Sequence, residues 1–178
     1  MSAFFFYRGD NMQKLWSPWR SQYINSLQDE DKSKCVFCSI LESSNDDENL
    51  ILTRAKDFTL IMNRYPYNSG HLMVITNKHI ANIKELDDIQ KSDFLKYVEY
   101  AQDILKYVLN PDGFNIGLNI GRAAGAGIEN HIHFHIVPRW NGDTNFMPVF
   151  AEVKIVSDEM KSQHVKFKQA IKELNLIF

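Results

Sequence analysis

Short apolar runs alternate with turn-forming clusters through the first half of this chain, and longer helical stripes follow. Residues 50–53, 58–63 and 71–75 are rich in β-branched and aromatic side chains and are bounded by clusters such as Pro66-Tyr-Asn-Ser-Gly70, the pattern of short strands. Phe94, Val98, Ala101, Leu105 and Val108 instead recur at spacings of four and three with charged residues between them. That period predicts an amphipathic helix, which Asn110-Pro111 should stop. Strands are expected again over residues 114–120, 131–138 and 147–156. A last helix is expected after Ser157 as N-cap, with Val165, Ile171 and Leu174 on its buried face and His164 in solvent. An antiparallel sheet with two main flanking helices is an α+β fold. The polar stretch 42–48 reads as a solvated loop, and Trp16-Ser-Pro-Trp-Arg20 as a docked arm.

Composition narrows the class. With 178 residues, 44% of them hydrophobic, one compact domain is expected, and 20 basic against 22 acidic side chains leave a net charge of -2. Nucleic-acid binders concentrate a basic excess, so a nucleic-acid partner is not expected. No apolar run approaches the ~20 residues needed to span a bilayer, so neither is a membrane. Residues 1–7 are apolar but lack a basic leader and are too short for a signal peptide. We expect a cytoplasmic protein in which 1–11 form an extension ahead of a second candidate start, Met12, and 12–178 make up the domain. The two cysteines, Cys35 and Cys38, stand in a CxxC that is redox-active, half of a metal site, or a pair of small buried hydrophobes. No organic cofactor is expected.

The chemistry concentrates in His131-Ile-His-Phe-His-Ile-Val137. Side chains alternate faces along a strand, so His131, His133 and His135 project together at intervals of about 6.6 Å, while Ile132, Phe134 and Ile136 face a core. Three aligned imidazoles are poorly explained as buried packing, because each would need its own hydrogen-bond partners. Two uses remain open: metal ligands, or a nucleophile acting on phosphorus. No carboxylate interrupts the triad, which weakens the metal-hydrolase reading. The preceding Gly113-Phe-Asn-Ile-Gly-Leu-Asn-Ile-Gly121 and Arg122-Ala-Ala-Gly-Ala-Gly127 bring small residues that let backbone approach an oxyanion.

The triad resembles the HφHφHφφ signature of the histidine triad (HIT) superfamily of nucleotide hydrolases and transferases, and the likeness runs from Trp16 to about Pro148. Asn63-Arg-Tyr-Pro, Gly70-His71-Leu-Met-Val and Lys78-His79-Ile80 resemble its upstream strands. Trp16-Ser-Pro-Trp-Arg20, Ala124-Gly-Ala-Gly127 and Pro138-Arg-Trp-Asn-Gly-Asp-Thr-Asn-Phe-Met-Pro148 resemble the diadenosine tetraphosphate phosphorylase and fragile-histidine-triad branch. The resemblance implies a HIT-like α+β domain, a homodimer, and cleavage of dinucleoside polyphosphates or nucleotide adducts. It makes His133 the nucleophile, His135 a phosphate donor and His131 a support, with Asn63, His71, Asn119, Gly125 and Gly127 about the nucleotide. It also implies a structural zinc on Cys35, Cys38, His79 and His131. Many hydrolytic members carry a Gln where Gly127 stands, and the smaller residue leaves room for inorganic phosphate. The acceptor is therefore water or phosphate, and a nucleotide-binding module without turnover is the remaining alternative.

Overall fold

The computed structural model describes residues 34–143 and 160–178. The aromatic arm around Trp16 and Trp19, the strand expected at 147–156 and the Ser157 cap lie outside them. In chain order the elements are α1 (Val36–Glu42), β1 (Ile51–Arg54), β2 (Phe58–Met62), β3 (Leu72–Thr76), α2 (Asp88–Leu109), β4 (Gly113–Leu118), β5 (His133–Arg139) and α3 (Met160–Glu173). The strands form one antiparallel sheet in the order β1-β2-β3-β5-β4. The triad strand β5 thus inserts between β3 and β4, which puts its histidines in the middle of the sheet.

One face of the sheet packs on α2 and α3. Leu60, Met62, Leu72, Val74 and Ile136 meet Phe94, Val98, Ala101, Ile104, Leu105 and Phe167 there. Phe94 also stands edge-on to Phe134, with ring centroids 4.6 Å apart, so the alternate residues of the triad strand do anchor it to the core. Every residue of β2 and β3 is buried, because the other face is covered as well: Ile61, Met73 and Ile75 pack against Phe37 of α1. Strands buried on both faces lose the polar alternation of a half-solvated sheet.

Helix α2 begins with a capping box. The Asp87 carboxylate accepts from the Gln90 N–H while the Gln90 side chain accepts from the Asp87 N–H. It ends where expected, with Asn110 in the left-handed conformation as C-cap ahead of Pro111. Helix α3 corrects the expected face. Gln163, His164, Phe167 and Ala170 are buried, whereas Val165 is 67% exposed. His164 is not in solvent: its Nε2–H donates to the Ile51 carbonyl at 2.8 Å, pinning α3 to the start of β1. Helix α1 also departs from the expectation, since the CxxC opens a helix that reaches the first residue of the presumed loop. Among the described residues no helix is long and apolar enough to cross a membrane.

Gly70, which leads into β3, has φ +78°, and a Cβ there would overlap Leu109 Cδ1 and come within 3.1 Å of Leu105 Cδ2. Backbone strain and overpacking add, so Gly70→Ala should lower unfolding stability by roughly 2–4 kcal/mol. Chemical denaturation checks this, and an unchanged midpoint would show that the α2 contact yields freely.

Candidate active site

Strand β5 turns His133 and His135 to the α1 side of the sheet, where they line an open cleft of about 910 Å³, counting the solvent space at its mouth. His131 lies just ahead of the strand, its ring on the same side: Phe37 stands edge-on to both His131 and His133, with centroids 5.4 and 5.0 Å away. The His133 Nδ1–H donates to the backbone carbonyl of His131 at 2.8 Å. A carbonyl only accepts, so in the neutral ring the proton sits on Nδ1 and the lone pair on Nε2. Burial holds the His133 pKa below its ordinary value, against the opposing pull of that hydrogen bond. The ring is 6% exposed. A neutral imidazole with a directed lone pair at a cleft wall is a nucleophile in its reactive form.

His135 carries the opposite tautomer, and its cause lies two residues away in space. The Tyr67 N–H donates to His71 Nδ1 at 3.0 Å, and the Asn63 Nδ2 group approaches the same nitrogen at 3.2 Å. The Asn63 amide orientation is set because its Oδ1 accepts from the Tyr65 N–H at 2.9 Å. Both neighbours of His71 Nδ1 are donors, so the neutral ring holds its proton on Nε2 and passes it toward His135 Nδ1, 3.0 Å away. His135 then carries its proton on Nε2. The two cleft histidines are thereby held in complementary states: His133 as a lone-pair donor, His135 as a hydrogen donor.

Beside the triad, Cys35, Cys38, His79 and His131 gather so that one ligand atom from each lies within 4.8 Å of all the others. His131 Nδ1 is 3.3 Å from Cys35 Sγ and 3.6 Å from Cys38 Sγ, and His79 Nδ1 is 3.2 Å from Cys38 Sγ. A tetrahedral zinc with Zn–S near 2.3 Å and Zn–N near 2.05 Å separates S and N by about 3.6 Å, which these spacings approach. His131 is preset for such a role, because its Nε2–H donates to the Thr76 carbonyl at 2.7 Å and leaves the Nδ1 lone pair toward the thiols. Burial and the adjoining Cys35 push the Cys38 thiol up to about 11. Two sulfurs this close become thiolates together only beside a cation, so the donor set fits a structural zinc.

A HIT domain model matches residues 44–142. The chain belongs to the HIT domain family. An AP-4-A phosphorylase of Mycobacterium tuberculosis is 35% identical over 153 residues, covering 83% of this chain and 78% of that protein. The crystal structure of a hypothetical histidine triad nucleotide-binding protein from Sulfolobus tokodaii is 29% identical with a TM-score of 0.64, covering 79% and 94% of the two chains. That of a Zn-bound histidine triad family protein from Mycobacterium smegmatis shares the fold with a TM-score of 0.64 at 24% identity, covering 82% and 98%.

Within this HIT domain, the cleft brings together His133, His135, Asn63, Gly125 and Gly127. His71 and Asn119 are not among its lining residues: His71 is buried behind His135, and Asn119 follows β4 half-buried. Gly125 is left-handed, with φ +85°, and its N–H closes a turn onto the Arg122 carbonyl, as those of Ala124 and Ala126 do onto Gly121. Phe37 and Tyr67 escaped the sequence reading. Phe37 was masked by its place inside the CxxC, whereas Tyr67 had a signal, a turn residue four positions ahead of a histidine. Its ring lies 4.8 Å from His71 and 5.5 Å from His135.

Proposed function

We propose that this HIT protein transfers a nucleotidyl group from a dinucleoside polyphosphate, with diadenosine tetraphosphate as the leading substrate, to inorganic phosphate through a covalent intermediate on His133. One observation carries the reading: the His133 Nδ1–H is held on the His131 carbonyl, which leaves Nε2 as an unprotonated nucleophile at the cleft. The Nε2 lone pair attacks the α-phosphorus and forms the N–P bond. The bond from that phosphorus to the bridging oxygen breaks, and the electron pair leaves with ATP. His135 Nε2–H donates to an α-phosphate oxygen as its charge grows, in the tautomer that His71 and Tyr67 impose. A phosphate oxygen then attacks the same phosphorus, the N–P bond breaks, and ADP departs with His133 restored.

Phosphate as the acceptor is supported by two things: the small Gly127 in the cleft lining and the 35% identity to a protein named AP-4-A phosphorylase. Incubation with diadenosine tetraphosphate should give ADP plus ATP, with turnover dependent on added phosphate. AMP plus ATP irrespective of phosphate would make water the acceptor and leave the intermediate standing, and no product at all would overturn the enzyme reading.

Cys35, Cys38, His79 and His131 would hold a structural zinc. Bound there, the ion supplies positive charge that keeps both sulfurs as thiolates and ties the start of α1 to the triad. Among the described residues β4 pairs only with β5 and Ile116 is 41% exposed, a surface suited to the homodimer. Two cysteines held outside any disulfide suit a cytoplasmic location.

A further inference from the structure

We propose that the Tyr67 hydroxyl seats the acceptor phosphate, so that the nucleotidyl group passes to an anionic oxygen in preference to water. The inference rests on the nucleotidyl-transfer reading and adds to it how the acceptor is chosen. Attack by water needs a base to take its proton. Among the described residues that line the cleft there is no aspartate or glutamate. In the intermediate His133 Nε2 is bonded to phosphorus, and His135, held in its tautomer by His71, already carries a proton on Nε2. Neither histidine is left to act as a base at the reacting face. A phosphate dianion needs none, because its nucleophilic oxygen is already ionised.

Tyr67 stands where such an anion would sit. Ring centroids run 4.9 Å from His133 to His135 and a further 5.5 Å from His135 to Tyr67. Donors therefore follow one another away from the nucleophile: His135 for the α-phosphate, and the phenol for the phosphate beyond it. Phe37, the ring against His133 and His131, offers no polar atom. Tyr67 lines the cleft and is 36% exposed, and among the described residues its hydroxyl has no hydrogen-bond partner. The residue is nonetheless fixed. Its N–H is held on His71 Nδ1 at 3.0 Å, and its ring packs 4.8 Å from that of His71. A phenol donates to an oxyanion in a hydrogen bond strengthened by the anion's charge. An ionised oxygen of the seated phosphate forms the new O–P bond, the N–P bond breaks, and its electron pair returns to His133 Nε2. The product is ADP, whose β-phosphate rests on Tyr67.

The experiment measures the ratio of ADP to AMP formed from diadenosine tetraphosphate over a series of phosphate concentrations, in the unmodified protein and in Tyr67→Phe. The variant keeps the ring that packs on His71 and His135 and the backbone N–H. Because both products come from one intermediate, an inactive fraction or a slower first step cancels from the ratio. Tyr67→Phe should lower it by about tenfold or more at each phosphate concentration, the worth of one hydrogen bond to a charged group. Calorimetric binding of ADP and of AMP reads the seat independently of turnover, and the ratio of their affinities should fall by a similar factor in the variant. A product ratio that Tyr67→Phe leaves unchanged overturns the seat while the transfer chemistry stands. AMP without ADP at every phosphate concentration overturns the seat together with phosphate as the acceptor. A weakened hold on ADP in the variant, with no turnover by either protein, sinks the transfer chemistry and keeps the seat.

Discussion

His133→Ala should lower turnover of diadenosine tetraphosphate by at least about 10⁴-fold, the scale seen when a covalent nucleophile is removed. Substrate affinity should change by no more than a few-fold. The substitution deletes the attacking Nε2 and leaves the walls that hold the nucleotide, including Asn63, Val36 and Ile40. The fold should survive, because His133 contributes one hydrogen bond to the His131 carbonyl and edge-on ring contacts to Phe37 and His135, together about 1–3 kcal/mol. Ile132 and Ile136 continue to anchor the strand from its other face. Single-turnover kinetics with radiolabelled substrate separate the outcomes: the unmodified protein should trap label on the chain in the absence of phosphate, and the variant should trap none. Turnover within tenfold of normal in the variant would falsify covalent catalysis at this residue.

If the proposed zinc is bound, its loss should be a large stability change. A structural zinc contributes on the order of 10 kcal/mol in small domains, comparable with the whole stability of a typical domain at about 5–15 kcal/mol. Cys35→Ser, Cys38→Ser or exhaustive chelation should therefore lower the Tm by at least about 10 °C. The effect should start in α1. Seven residues are too few for a helix to hold itself, and α1 is retained by Phe37 in the second core cluster and by the cysteine–histidine cluster. Val36, Phe37 and Ile40 line the cleft from that helix, so nucleotide affinity should fall with it. Elemental analysis should find one zinc per chain. A protein that purifies without metal and whose Tm ignores chelators would return the cysteines to the role of small hydrophobes.

Local periodicity carried the sequence reading where the relevant contacts are themselves local. The alternation in residues 131–137 announces two faces because side chains on a strand must alternate, and the imidazole row and its apolar counterface stand as that rule requires. The stop at Asn110 is a matter of two adjacent residues. Helix α3 marks where local patterning failed. Val165, Ile171 and Leu174 make a plausible stripe, yet the polar Gln163 and His164 are buried, each with a partner nearly a hundred residues or more away: Ser69 for Gln163 and the Ile51 carbonyl for His164.

The residue types needed for phosphorus chemistry, the spacing that aligns them and the fold class were written in the chain itself, because they depend on neighbours within a few positions. Local periodicity could show neither the protonation pattern nor the gathering of the cysteines and histidines, which only the family resemblance had implied and tertiary contacts bring about. His71 reaches His135 across 64 positions, and Cys35 reaches His131 across 96. Both contacts exist only because β5 enters the sheet beside β3 and α1 packs over its face. Such pairings leave no trace in local periodicity, since strand order is set by the burial of the whole sheet.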